Sequence, residues 1–352
     1  MLARSGSAQR VAIVGASSLL GKELKLVLED RNFPATDFVL LDESFAAGTL
    51  TEAAGEATFI QPLDKDSFEG ARFVFFAGNS ETAAGNWEAG ICAGASVIDL
   101  TGGVPADSGA FTWIPSLDAV LPAPAASIPT TKPKTAPPGE KRALYRSPGT
   151  ALIMGATLSA ALRESNPARV VLVFYPPVSE AGQAGVDELE AQTTSLLSFR
   201  GIERTVFDAQ VAFNLLTGYG AECRRNLGEI RERLARDLGS YLGGRATIPA
   251  IQFVQAPVFY GFAFSAYAEF SSPPDTGRWE AAFTAAGMRL AKKEDGPPDN
   301  VTAAGESEIQ IGLVERDPSV ANGCWMWGVA DNLRLAATNA VRIAEELLVI
   351  PA

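Results

Sequence analysis

The stretch Val11-Ala12-Ile13-Val14-Gly15-Ala16-Ser17-Ser18-Leu19-Leu20-Gly21-Lys22-Glu23-Leu24 decides how the chain is read. Four apolar residues run into a glycine and a turn of small residues. Leu20, Leu24, Val27 and Leu28 then recur at helical spacing. The pattern predicts a buried parallel strand, a tight turn and a helix whose N-terminal N–H groups point back at the turn. Such a junction is an anion site, and a dinucleotide pyrophosphate is its usual occupant. The three glycines of the usual fingerprint are reduced to two here: Gly15 and Gly21 remain, and Ser18 holds the middle position. Ser17, Ser18, Leu19 and Leu20 line the turn. The serine N–H and hydroxyl can face a phosphate, although its side chain narrows the approach that a glycine leaves open. A strand–turn–helix unit that binds nothing fits the same residues.

The totals bound the rest. A chain of 352 residues, 47% apolar and 20% charged, makes a globular protein of two ordinary domains or one large α/β unit. Its net charge of −12 and pI near 4.7 argue against a nucleic-acid or anionic-membrane surface. No apolar run reaches the length of a membrane span, and the polar start Met1–Arg10 is unlike a signal peptide. Three scattered cysteines suggest a reducing compartment, so cytoplasm is the expected location. There is no histidine. That removes Ser–His–Asp and Cys–His arrangements, histidine-ligated metals and a histidine base, and no metal site is expected. Any proton transfer falls to a tuned carboxylate, Lys, Tyr or Cys.

Further along, Phe38–Glu43 reads as a second strand ending in two acids, about 20 residues past the glycines. Asp42 there either bonds ribose hydroxyls, favouring NAD over NADP, or merely solvates a strand end with Glu43. Strands are expected at 57–60, 71–77 and 96–100. Gly78 stands at the strand-to-loop junction beside the crevice, and a helix is expected over 81–93. This rhythm predicts a doubly wound parallel sheet of the Rossmann-like kind. The Pro-, Ala-, Thr- and Lys-rich stretch 122–142 reads as a solvated loop. Helices are expected at 151–164, 186–198, 221–238 and 332–348. Strands at 169–175, 251–258, 261–270, 309–315 and 324–329 predict an α+β domain with a broad mixed sheet that dimerises face to face. The boundaries expected are 1–147 for the first domain, with 332–352 packing back on it, and 148–331 for the second.

These segments, in this order, resemble the aspartate-semialdehyde dehydrogenase family. The likeness is carried by Val11–Gly21, Arg31-Asn32-Phe33-Pro34, Asp66–Gly70, Ala181–Glu188 and Pro257–Gly261. It is most specific in the run from Arg316-Asp317-Pro318-Ser319 to Ala330-Asp331-Asn332-Leu333-Arg334. The resemblance implies a homodimer built through the second domain, and a chemistry in which a cysteine thiolate attacks an aldehyde, a histidine moves protons and NADP takes the hydride.

The chain departs from the family where that chemistry is done. Thr150 stands at the nucleophile's position, Phe262 at the histidine's, and Gln255, seven residues earlier, at that of the arginine that grips the substrate carboxylate. Pro176 replaces a glutamine and Glu180 a glycine before the turn Gly182–Gly185, and the arginine that reads the NADP 2′-phosphate falls near Ser44 or Phe45. Arg225 and Glu229 match a family Lys/Glu helix pair, although an i,i+4 surface pair accounts for them equally. Cys92, Cys223 and Cys324 do not lie in a turn like that of Thr150. The resemblance with these departures implies a dimeric NAD- or NADP-binding protein, NAD favoured, that lacks the family's acylating dehydrogenase activity. Such a protein acts by binding or assembly, as a homodimer or as a heterodimer with an active paralogue. The alternative is an oxidoreductase acting on an aldehyde by non-thiol chemistry, with Tyr175, Tyr260 or Glu180 relaying protons.

Overall fold

The computed structural model describes residues 9–43, 48–53, 56–64, 66–122, 144–292, 294, 296–312 and 314–349. The expected loop 122–142, except Pro122, and positions 44 and 45 lie outside them. The chain forms two compact units. The first comprises Met1–Pro115, Pro129–Gly149 and Ala336–Ala352, and the second Ser116–Ile128 and Thr150–Leu335.

In the first unit seven strands lie in the order Gln61–Pro62, Ala35–Asp42, Gln9–Val14, Phe73–Phe76, Ser96–Asp99, Leu144–Arg146, Phe111–Thr112. Every pairing is parallel. The central strands are apolar throughout because both faces are covered. Val11, Ile13, Phe73 and Phe75 pack with Leu24 and Leu28 of the helix Leu19–Asp30. Ala12, Val14, Val74 and Phe76 share the other core with Ala83 of the helix Ser80–Cys92. A two-residue period thus feeds two cores, and each fully buried large side chain contributes roughly 1.5–3 kcal/mol. The closing helix, Asn332–Val349, adds Ala337, Ala340, Val341 and Ile343 to the first of these cores. A short hairpin, Leu50–Ala53 with Glu56–Phe59, includes a strand that the sequence pattern does not announce.

In the second unit the sheet runs Ala250–Phe253, Arg169–Tyr175, Phe262–Glu269, Gly323–Ala330, Ile309–Ile311, Met288–Leu290, with Glu315–Arg316 paired onto Gly323–Ala330. It is mixed. Phe262–Glu269 is antiparallel to both its neighbours, whereas Ala250–Phe253 is parallel to Arg169–Tyr175. The expected strand 251–258 is therefore cut to four residues, and it does not form a hairpin with the next one. The chain leaves the ladder at Val254 and turns through Pro257 to Gly261, whose φ of +85° suits a residue without a Cβ. The expected strand 309–315 is likewise two short strands.

One face of this sheet is covered by the helix Thr150–Leu162, whose Gly155 approaches Leu172, Phe174 and Leu238. The other carries Tyr175, Tyr267, Trp325 and Trp327, the tryptophans 43% and 36% exposed. Tyr267 pairs with Trp325 at 5.0 Å and Tyr175 with Trp327 at 5.9 Å between ring centroids. An aromatic stripe on an otherwise ordinary sheet face is characteristic of a surface that is covered in the assembled protein.

Candidate functional site

Two places carry the residues singled out above, one in each unit. In the first, the turn after Gln9–Val14 is held by glycines in contact. Gly15 has φ +82°, and a Cβ on it would stand 2.2 Å from the Cα of Gly78. One on Gly21 would stand 2.1 Å from the carbonyl oxygen of Gly15. The two strand-end turns can meet only because all three positions lack side chains. Ser18 is the N-cap of Leu19–Asp30. Its hydroxyl accepts the N–H of Gly21 at 2.9 Å and donates to the Ala77 carbonyl at 2.8 Å. The Ser18 N–H is bound to the Gly15 carbonyl. The polar groups of Ser18 are thus used to close the turn. Among the described residues the N–H groups of Leu19 and Leu20 meet no acceptor, which is the ordinary state of the first helical turn and the feature an anion uses.

Asp42 is buried, and it is not solvating a strand end. Its Oδ2 accepts the Ser17 N–H at 2.8 Å, and its Oδ1 accepts the N–H of Glu43 at 2.9 Å. It therefore braces the glycine turn from the neighbouring strand. Glu43 reaches further: its Oε1 accepts from Asn79 Nδ2 at 2.6 Å and from Thr82 Oγ1 at 3.0 Å. Asn79 in turn caps Ser80–Cys92 through the Thr82 N–H.

In the second unit Thr150, Gln255 and Phe262, the positions expected to match the family's nucleophile, clamp and base, are all buried. Thr150 opens its helix with 3% exposure, and its hydroxyl donates to the Asn332 carbonyl at 2.8 Å. Gln255, 1% exposed, donates through Nε2 to the carbonyls of Pro176 and Ala256, both at 2.9 Å, and accepts from the Tyr219 hydroxyl at 2.7 Å. Phe262 is equally buried, and its ring meets Phe174 edge-on at 5.7 Å.

Asn332 gathers the rest. Its Nδ2 donates to Ser179 Oγ and to Glu180 Oε1, each at 3.1 Å, and its Oδ1 accepts the Gly261 N–H at 3.2 Å. Sequence reasoning missed Asn332 and Tyr219 as site members. Asn332 lies inside the specific C-terminal run, which was the available signal; nothing in the local sequence marks Tyr219.

Loss of water around the Glu180 carboxyl raises it above the usual range. The positive charge of Arg225 and the Asn332 hydrogen bond oppose this. The Tyr219 phenol is pushed up to about 12, mainly by burial. Arg225 thus belongs electrostatically with Glu180 and Tyr219. The expected pairing of Arg225 with Glu229 on one helix is corrected: Asn226 caps the helix Leu227–Leu242, leaving Arg225 ahead of it, and no ion pair joins the two among the described residues.

A carboxyl raised on folding binds its proton more tightly folded than unfolded. Its contribution favours folding at low pH and is lost as pH rises through the folded-state value. Glu180→Gln, which keeps an oxygen for Asn332, is therefore expected to match wild type near the ordinary glutamate range and to exceed it at neutral pH. Urea midpoints at about pH 4 and about pH 8 measure this, and an equal offset at both would remove the titration of Glu180 from the account.

The three cysteines lie elsewhere. Cys324 is buried and its thiol is pushed up by that burial. Cys223 donates to the Val206 carbonyl at 3.1 Å, and Cys92 is exposed at the last turn of its helix. Among the described residues no three His, Cys, Asp or Glu side chains are grouped to hold a metal, and no helix is long and apolar enough to cross a membrane.

Comparison with known proteins agrees with this architecture over almost the whole chain. Residues 10–125 match the semialdehyde dehydrogenase NAD-binding domain, and residues 158–335 match the semialdehyde dehydrogenase dimerisation domain. A USG-1 protein homolog of Pseudomonas aeruginosa is 30% identical over 343 residues, 96% of this chain and 97% of that protein. The aspartate-semialdehyde dehydrogenase of Rickettsia bellii is 28% identical over 342 residues, with the same coverage. The solved structure of a probable aspartate-semialdehyde dehydrogenase from Pseudomonas aeruginosa superposes with a TM-score of 0.82 at 29% identity, covering 97% of this chain and 99% of that one. The chain belongs to the semialdehyde dehydrogenase family.

Proposed function

We propose that this chain is a dimeric, nicotinamide-dinucleotide-binding member of the family that does not catalyse the acylating oxidation of a semialdehyde. The observation that carries the reading is the state of Thr150, Gln255 and Phe262. Each is buried, and the two polar ones spend their hydrogen bonds on the protein itself. A threonine hydroxyl without a base is a very poor nucleophile near neutral pH, and a phenylalanine moves no proton. Gln255 lacks the charge and the fork that grip a carboxylate.

The glycine cradle fits a dinucleotide. Gly15, Gly21 and Gly78 bring the turns together, Asp42 braces Ser17, and the Leu19 and Leu20 N–H groups are left to meet a pyrophosphate. A bound nicotinamide would supply a hydride acceptor. NAD is favoured over NADP by the acidic end of the second strand, where Glu43 is exposed. The match to a dimerisation domain and the aromatic stripe Tyr175, Tyr267, Trp325 and Trp327 support a homodimer closed sheet to sheet. A heterodimer with an active paralogue would use the same face.

The test is a direct assay. Purified protein with aspartate semialdehyde, phosphate and either NAD or NADP is expected to give no absorbance change above the cofactor blank, while an active family enzyme under the same conditions does. Turnover in this protein would overturn the reading. A second reading, oxidation of an aldehyde by non-thiol chemistry, is favoured by one arrangement: Asn332 Nδ2 donates to Glu180 Oε1 at 3.1 Å, where desolvation raises the carboxyl above the usual range. Turnover that disappears in Glu180→Gln would select it.

A further inference from the structure

Asp42 ends the second strand of the first unit and Glu43 follows it, and both stand about where an acid contacts an adenosine ribose. They are not equivalent. The two oxygens of Asp42 are held by the N–H groups of Ser17 and Glu43, and the side chain is buried beneath the turn. Glu43 is exposed, and its side chain lies at the sheet edge. The strand Gln9–Val14 lies between Ala35–Asp42 and Phe73–Phe76, all three parallel, so their C-terminal ends share one edge. From the end of the second strand the Glu43 side chain meets those of Asn79 and Thr82, which come from beyond the end of the third, so that together they bridge the end of the strand between. That strand carries the glycine turn. The Glu43 Oε1 is anchored at the positive end of the helix Ser80–Cys92, and among the described residues its Oε2 has no partner.

We propose that Glu43, and not Asp42, is the residue that decides which dinucleotide the crevice accepts. It acts as an anionic strap that offers an acceptor to a ribose 2′-hydroxyl and repels a 2′-phosphate. The proposal rests on the crevice binding a dinucleotide, as argued above. Geometry supplies the discrimination. Asn79 and Thr82 hold the Glu43 carboxylate in place, so it cannot swing away without giving up both hydrogen bonds. A phosphate set against it would bring like charges together at the one helix end that could otherwise have welcomed it. Asp42, saturated by backbone donors, shapes the turn for any dinucleotide and so does not choose between them.

Calorimetric titration of wild type, Glu43→Gln and Asp42→Asn with NAD and with NADP separates these roles. Glutamine keeps an acceptor for Asn79 and Thr82 and removes only the charge, so a merely structural brace would leave the ratio of the two affinities unmoved. Glu43→Gln is expected to tighten NADP binding at least tenfold while NAD changes by no more than about threefold. Asp42→Asn is expected to weaken whichever nucleotide binds, without altering their ratio. If NADP affinity is the same in Glu43→Gln as in wild type, or if Asp42→Asn is the variant that admits NADP, the assignment to Glu43 is wrong. If wild type binds neither nucleotide but Glu43→Gln binds NADP, the strap stands and the claim that the native chain holds a dinucleotide falls. If no variant binds either, both fall.

Discussion

Gly15→Val is expected to lower the melting temperature by about 10 °C. Two costs add. Gly15 sits at φ +82°, which for a residue with a Cβ costs roughly 1–2 kcal/mol, and more for a β-branched one. The new Cβ would stand 2.2 Å from the Gly78 Cα and 2.3 Å from its nitrogen, so backbone must move. Overpacking of this kind costs typically about 1–3 kcal/mol, and a total of about 3–5 kcal/mol at about 2–4 °C per kcal/mol gives the expected shift. Gly102→Ala is the control. That glycine also has a positive φ, +69°, but nothing lies within 4 Å of its would-be Cβ. It is expected to lose only the backbone share, roughly 1 kcal/mol. Scanning calorimetry on the pair separates strain from collision, and equal melting temperatures would show that the two turns do not press together. A valine at position 15 is accordingly a poor knock-out of nucleotide binding, because loss of binding would report loss of fold.

How much of this was legible in the sequence differs between the two units. The parallel sheet was, because Val11–Val14 and Phe73–Phe76 are apolar without alternation, and only burial on both faces allows that. The start of the helix Leu227–Leu242 was not. Dense charge from Ala221 onward suggested a helix already under way, but Asn226 offers its side chain to the N–H groups of Gly228 and Glu229 and so fixes the first turn there. That one cap moves Arg225 out of the helix and into the neighbourhood of Glu180. The role of Ser18 was hidden for a similar reason. A serine in a glycine turn reads as a ligand for phosphate, but the same hydroxyl is well placed to cap the helix it precedes, and here it does.

Asn332 shows the limit most clearly. Its partners Ser179 and Gly261 and the Thr150 hydroxyl come from segments 71 to 182 residues away, and no local pattern encodes such a meeting. The substitutions at positions 150, 255 and 262 were visible as letters. What could not be seen is that each replacement is built in. Gln255, for example, ties Tyr219 to the carbonyl of Pro176, and so is part of the fold there.

That integration sets the result expected when a histidine is placed at position 262. Phe262→His is expected to destabilise the protein by about 2–4 kcal/mol, as large-to-small core changes and unpaired buried polar groups do, and to confer no dehydrogenase activity. The ring it replaces lies edge-on to Phe174, which also touches Phe253 and Phe264 at 5.4 and 6.1 Å, so an imidazole would enter an aromatic cluster. Burial disfavours the charged form, so the folded-state value of the new histidine falls below the unfolded value of about 6.5. The sign follows. A base whose value is depressed by folding takes up protons more readily when unfolded, so the variant loses further stability as pH drops from about 7 to about 5. Because the natural chain contains no histidine, a new step in stability near this pH belongs to residue 262 and to no other imidazole. Denaturant melts of wild type and variant across that range measure it, and a variant as stable as wild type with a flat difference would place residue 262 in contact with water or a partner. Activity should stay at the blank in either case. A base at this position has no thiol to deprotonate, and the Thr150 hydroxyl is already donated to the carbonyl of Asn332. Nucleophile and base act as one unit, so on the proposed reading a single restored member is expected to restore nothing.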